Sequence, residues 1–146
     1  MATIKKFRIL KFKSKPILSV KGISKNIDSR IILRKIDFHI NKGEIFGLLG
    51  PNGAGKSVTF NVLLGIMRPN QGNIYVDGNK ITHLAIHERA KKFKLGYIPQ
   101  NDSVFKGLSC EDNLRAIAEI VIKDKKKQES KIQELLSNFN LDHLRR

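Results

Sequence analysis

"GPNGAGKS", residues Gly50–Ser57, sits between the apolar run "EIFGLL" at residues 44–49 and "VTFNVLLG" at residues 58–65. The spacing Gly-x-x-x-x-Gly-Lys-Ser, with a strand pattern before it and a helix pattern after it, is the phosphate-loop arrangement. Backbone N–H groups converge on a phosphate only where side chains leave room, so Gly50, Gly53 and Gly55 are the positions expected to be bare. A helix beginning near Lys56 adds its free first-turn N–H groups and its dipole. Lys56 places a compact positive charge on the β- and γ-phosphates. Ser57 offers a hydroxyl oxygen to Mg²⁺. Pro51, Asn52 and Ala54 complete the loop, and Val58 contributes its backbone N–H. The implied ligands are a nucleoside triphosphate and Mg²⁺. The plain alternative is a glycine-rich strand–helix turn with the lysine in solvent.

Outward from the loop, "PILSVKGIS" and "RIILRKIDFHI" read as strands, and Lys42-Gly43 turns the chain into the strand Glu44 to Leu49. Phe60, Leu63 and Leu64 have helical spacing, with Gly65 as the stop and Pro69 beyond it. "NIYVDGNKIT" reads as a hairpin around Asp77-Gly78. "AIHERAKKF" is a short helix, and "KLGYIP" a further apolar strand closed by Gln100. From Ser109 the pattern is helical. "SCED" resembles a capping box with Asp112 where Glu is usual, followed by a stripe of Leu114, Ile117, Ile120 and Val121. A second stripe contains Ile132, Leu135, Leu136 and Phe139. Residues 4–13, "IKKFRILKFK", alternate basic and apolar, and a basic arm is preferred here to an edge strand.

The chain has 146 residues, 40% hydrophobic, enough for one ordinary core. Its formal charge is +15, and the first 35 residues hold eleven Lys/Arg against one acid, Asp28. Such charge suits an anionic partner, but Lys is abundant along the whole chain. RNA-binding motifs with interleaved aromatics are absent, and no nucleic-acid partner is expected. Cys110 is the sole cysteine, so no disulfide forms within the chain, which fits a reducing compartment. No apolar run approaches the roughly 20 residues that span a bilayer. The basic N-terminus lacks an apolar core segment and is not a secretory signal. A GTPase would need a guanine-reading Asn-Lys-x-Asp; "GNKIT" lacks the aspartate.

"GEIFGLLGPNGAGKS", the strands before it, the hairpin after it and "GYIPQ" ahead of helices resemble, in that order, the ATP-binding subunits of ABC transporters. "HLAIHERAKKFKLGYIPQ", "SVFKGLSCEDNL" and "NLDHLRR" are more similar to the ATPases of lipopolysaccharide export than to those of branched-chain amino-acid uptake, the alternative. The resemblance runs from about Lys25 onward. It implies an α/β fold: a P-loop NTPase (RecA-like) core with an antiparallel β subdomain and the start of a helical subdomain, truncated. Residues 1–16 are then the basic arm, 17–100 the nucleotide-binding core and 101–146 a partial helical subdomain. Gln100 takes the place of the glutamine that contacts Mg²⁺ and the attacking water. Transmembrane transporter subunits and a second ATPase subunit are the implied partners, on the cytoplasmic face of the inner membrane. Phe105 and Leu108 are placed to touch the membrane subunits, or else to pack on their own subdomain.

Three departures from the pattern matter. The aromatic residue that stacks on adenine is replaced by Ile27. The threonine after the loop serine is Val58. The signature motif, the Asp–Glu strand and the switch histidine do not occur in these 146 residues. The expectation is therefore an N-terminal part of a transporter ATPase that hydrolyses no ATP alone, with "EIFGLL" and "KLGYIP" short of neighbouring strands. His83 and His87 have a metal-like spacing but no third ligand in sight, and are read as helix-surface residues. Cys110 is read as inert.

Overall fold

The structure is a computed structural model that describes residues 5–8, 15–100 and 103–144. The chain divides into two compact units, Met1–Tyr97 and Ile98–Arg146.

The first unit is built on a four-stranded antiparallel sheet of order β3-β2-β5-β6. Strands β2 (Pro16–Ile27) and β3 (Arg30–Asn41) form a hairpin. Its turn residues Asp28 and Ser29 both have positive φ, 45° and 64°, as a type I′ turn requires. Strand β5 (Gln71–Val76) pairs with β2, and the two-residue β6 (Asn79–Lys80) folds back through a second such turn at Asp77-Gly78. Val20, Ile23, Leu33, Phe38, Ile74, Val76 and Ile81 bury one face, joined by Val62 of helix α1 (Lys56–Leu64). Each such side chain contributes roughly 1.5–3 kcal/mol of burial.

Strand β4 (Phe46–Leu49) leads into the glycine loop. Phe46 stacks on Phe38, ring centroids 5.0 Å apart and planes 12° from parallel, and this contact ties β4 to the antiparallel sheet. Along its edge β4 pairs antiparallel with β1 (Lys5–Arg8), Lys5 opposite Leu49 and Arg8 opposite Phe46. The expected basic arm therefore contributes a strand over these four residues. The physical reason is that β4 otherwise presents an unpaired row of N–H and C=O groups. The rest of residues 1–14 lies outside the described residues.

"KLGYIP" departs from expectation in the other direction. Residues 94–99 form no strand, and Ile98 is 92% exposed. A strand needs a neighbour to take its backbone hydrogen bonds, and none of the described strands pairs there.

Helix α2 (Ile86–Phe93) follows a turn at Thr82 and His83. Glu88 reaches back to accept the Ala85 N–H at 2.9 Å, which closes half of a capping box; Ala85 has no side-chain oxygen for the other half. Arg89 is the largest fully buried side chain, 1% exposed. Its guanidinium donates to four carbonyl oxygens: Leu84 (2.9 Å), Thr82 (3.1 Å), Val62 (2.9 Å) and Leu63 (2.6 Å). Burial lowers its pKa from the usual value. Hydrogen bonds to a charged donor are worth about 1.5–3 kcal/mol each, and several offset the cost of desolvating one cation.

The second unit pairs helices α3 (Cys110–Val121) and α4 (Lys125–Asn138), followed by a 3₁₀ turn at Asp142–Leu144. Ser109 Oγ accepts the Asp112 N–H at 3.1 Å and donates to the Asp112 carboxylate at 2.6 Å. The cap forms as the sequence suggested; with Asp112 one methylene shorter than Glu, the carboxylate takes the hydroxyl proton instead. Ile132 and Leu136 of α4 are buried. Arg115 of α3 bridges Glu111 on its own helix and Glu129 on α4. Both partners raise the arginine pKa, and Arg115 lowers that of Glu129. Ile117, Ile120 and Val121 of the first stripe, and Phe139 of the second, are exposed.

Candidate functional site

The glycine loop closes on itself through the Ala54 N–H, which donates to the Pro51 carbonyl at 3.2 Å. Pro51, Asn52 and Gly53 are exposed, Gly50 is half-buried, and Ala54 and Gly55 are buried against the sheet. Gly55 has φ +90°, and a Cβ there would stand 2.8 Å from Leu33 Cδ2 and 3.2 Å from the Ile32 carbonyl oxygen. The need for a bare residue at Gly55 thus comes from the strand beneath the loop as much as from any ligand above it. At Gly53 (φ +79°) no atom would meet a Cβ, so the backbone conformation alone favours glycine there.

Gly55 is also the N-cap of α1 and has no side chain to cap it, and the first turn holds no acid. The first-turn N–H groups therefore keep their partial positive charge for a ligand. The turn is closed from inside by Thr59: its N–H (2.8 Å) and its Oγ1 (2.9 Å) both donate to the Gly55 carbonyl. Thr59 is buried, and sequence reading missed this role. A hydroxyl four residues past the cap was the available signal.

Lys56 folds back over the loop. Its ammonium donates to the carbonyls of Gly50 at 2.6 Å and Pro51 at 2.8 Å. An ammonium has three donors, so these two contacts hold the charge above the loop mouth with one donor left over. Ser57 is exposed one residue on, and Val58 packs against the apolar core. Val58 thus turns its side chain inward and keeps its backbone at the helix start. Glycine backbone, uncapped helix start and ammonium form a cationic, donor-rich cradle that fits the phosphates of a nucleotide. The Ser57 hydroxyl oxygen would hold a Mg²⁺ ion there.

Ile27 ends β2 beside the Asp28-Ser29 turn and is half-buried. Gln100 is exposed in a bend and belongs to the second unit. Phe105 and Leu108 are exposed too, on a loop gripped by Asn113. The Asn113 Oδ1 accepts the Phe105 N–H at 2.7 Å, and its Nδ2 donates to the carbonyls of Phe105, Leu108 and Ser109. The loop that carries both apolar side chains is thus fixed by a residue that sequence reading passed over. His83 lies in the turn ahead of α2 and His87 on the helix, so the two do not share one helical face. Among the described residues no group of three or more His, Cys, Asp or Glu is placed to hold a metal ion. Cys110 is half-buried at the first position of α3. Among the described residues no helix is long and apolar enough to cross a membrane.

The family model described as "ABC transporter" matches residues 33–146. An uncharacterized ABC transporter ATP-binding protein of Rhizobium meliloti is 38% identical over 129 residues, covering 88% of this chain and 47% of that protein. The lipopolysaccharide export system ATP-binding protein LptB of Haemophilus influenzae is 41% identical over 131 residues, covering 88% of this chain and 54% of that protein. LptB of Escherichia coli K12 is 40% identical over the same length, with 53% of it covered. The chain spans about half the length of the curated relatives it matches. Among solved structures, an ATP-binding cassette of an ABC transporter superposes with TM-score 0.75 at 22% identity, covering 90% of this chain and 57% of that one. The cbiO1 protein of Clostridium perfringens, part of the ABC transporter complex cbiONQ, gives TM-score 0.74 at 24% identity, covering 89% and 53%. These two likenesses bear on the fold, which is mixed α/β with an antiparallel sheet.

Proposed function

The chain belongs to the ABC transporter family, and from that premise we propose that it is the ATP-binding part of a transporter ATPase that powers lipopolysaccharide export. The observation that carries the nucleotide reading is the cradle at Gly50–Ser57, where Lys56 is poised on the Gly50 and Pro51 carbonyls above an uncapped helix start. Phosphate oxygens replace those carbonyls as partners of the ammonium, and the α1 N–H groups take the adjacent oxygens. Mg²⁺, when bound, neutralises phosphate charge. Ser57 would supply the chain's hydroxyl to it, and Gln100 would orient the attacking water. Positioning and charge stabilisation carry most of phosphoryl transfer. On this reading these residues supply nucleotide binding and, through Gln100, the placement of water.

The export assignment is supported by the LptB relatives at about 40% identity; ATPases of branched-chain amino-acid uptake are the second reading, since the loop itself serves both. The working assembly is a pair of ATPase subunits beneath transmembrane subunits, peripheral on the cytoplasmic face of the inner membrane. Phe105 and Leu108 face those subunits, on a loop whose rigidity comes from Asn113. On this reading residues 1–16 are a basic arm, of which Lys5–Arg8 pair with β4, 17–100 the nucleotide-binding core and 101–146 the start of a helical subdomain.

Calorimetric titration of the chain with ATP and Mg²⁺, with GTP as competitor and Lys56→Ala as control, tests the binding. Depletion of the protein in its host separates the two transport readings. Lipopolysaccharide retained at the inner membrane supports export, whereas retained export with lost branched-chain amino-acid uptake refutes it.

A further inference from the structure

We propose that Arg89 is a positioning residue for the phosphate loop, holding the far end of α1 so that Lys56 and Ser57 at its near end stay in register with the cradle. The proposal rests on the reading that this cradle binds ATP. Arg89 donates to the Val62 and Leu63 carbonyls in the last turn of α1 and, with its other N–H groups, to Thr82 and Leu84 in the segment ahead of α2. One side chain thereby ties the C-terminal end of α1 to an independent piece of backbone.

Two further observations single out this contact. The last turn of α1 carries no basic residue, so the positive charge that a helix C-terminus favours comes only from Arg89 among the described contacts. Gly65, in the left-handed conformation at φ +83°, leaves the space that the guanidinium fills: a Cβ there would stand 2.8 Å from Arg89 Nε and 2.8 Å from the Leu84 carbonyl oxygen. The α1 stop and the Arg89 seat are one arrangement.

The length of α1 makes the contact matter at the loop. Nine residues at about 1.5 Å per residue give a lever of about 13 Å, so a tilt of about 10° at the Arg89 end moves the Lys56 end by about 2 Å. Displacements of about 1 Å at a reacting group cost up to about a hundredfold in rate.

The test compares wild type with Arg89→Met, which keeps bulk and removes charge and donors, and with Arg89→Lys, which keeps charge and loses the planar fork. Amide hydrogen exchange is read at Lys56–Phe60 against the sheet amides of Val20 and Ile74. ATP affinity is read with Mg²⁺ at a temperature where circular dichroism shows each protein folded. The expected result for Arg89→Met is exchange in α1 at least tenfold faster relative to the sheet, and an ATP Kd raised at least tenfold. Arg89→Lys falls between, and carries the test by itself if the methionine variant does not fold. A lower melting temperature with α1 exchange unchanged relative to the sheet overturns the proposal, because the role would then be general stability. Faster α1 exchange with unchanged Kd overturns the link to the nucleotide. A wild-type chain that binds no ATP overturns the nucleotide reading, and the exchange comparison then still decides whether Arg89 holds α1.

Discussion

Lys56 Nζ lies 2.6 Å from the carbonyl oxygen of Gly50, so the cation proposed to meet phosphate rests on the first residue of its own loop. Charge and clamp are removed together in Lys56→Ala. The ATP Kd is expected to rise at least about tenfold, about 1.4 kcal/mol, by calorimetry with Mg²⁺. Affinity equal to wild type would remove Lys56 from the site.

Ile27 stands at the end of β2 with part of its side chain open to solvent. If this edge faces adenine, Ile27→Tyr adds a stacking surface worth roughly 1–3 kcal/mol by analogy with base–aromatic contacts. ATP affinity then rises about fivefold or more, and affinity for inorganic triphosphate, which has no base, does not. An equal gain for both ligands refutes the placement.

Gly55→Ala puts a methyl group on φ +90° against Leu33 and the Ile32 carbonyl. The strain is expected to cost about 1–3 kcal/mol, lowering the melting temperature by several degrees with no ligand present. A melting temperature within one degree of wild type, at about 0.3 kcal/mol or less, would show that the loop yields freely.

Acid should loosen the start of α2. The Glu88 carboxylate accepts the Ala85 N–H, and this bond, ahead of the nearby Lys92 charge, holds its pKa below 4.5. A carboxylate whose pKa is depressed by folding stabilises the native state above its unfolded pKa and loses that contribution as pH falls through the folded value. Thermal melts from pH 7 to pH 3 should show Glu88→Gln less stable than wild type at neutral pH, with the gap closing below about pH 4.3. A gap that persists unchanged at pH 3 would exclude the charge as its source.

The elements that the sequence made legible are those whose information is local. The hairpin turn at Asp77-Gly78, the stop at Gly65 and the cap at Ser109 each depend on residues within four positions of one another, and all stand in the structure. The Gly50–Ser57 loop was legible for the same reason. Arg89 was not: within "AIHERAKKF" it looks like one more basic residue on a polar helix, and its partners Val62 and Leu63 lie 27 and 26 residues away. "KLGYIP" misled because an apolar, β-prone run specifies a strand only when another strand lies beside it. Asn113 had the form of an ordinary helix residue, and its grip on Phe105 depends on the path of the preceding loop.

The pairing of β1 with β4 also sets an order of folding events. Lys5 meets Leu49 across 44 residues of sequence, whereas β2 and β3 meet across a two-residue turn. Hairpins close in about 1–10 μs, and contacts between distant segments must first meet the entropy of a long loop. The β2–β3 hairpin should therefore form early, and the strand that feeds the phosphate loop should acquire its outer neighbour late.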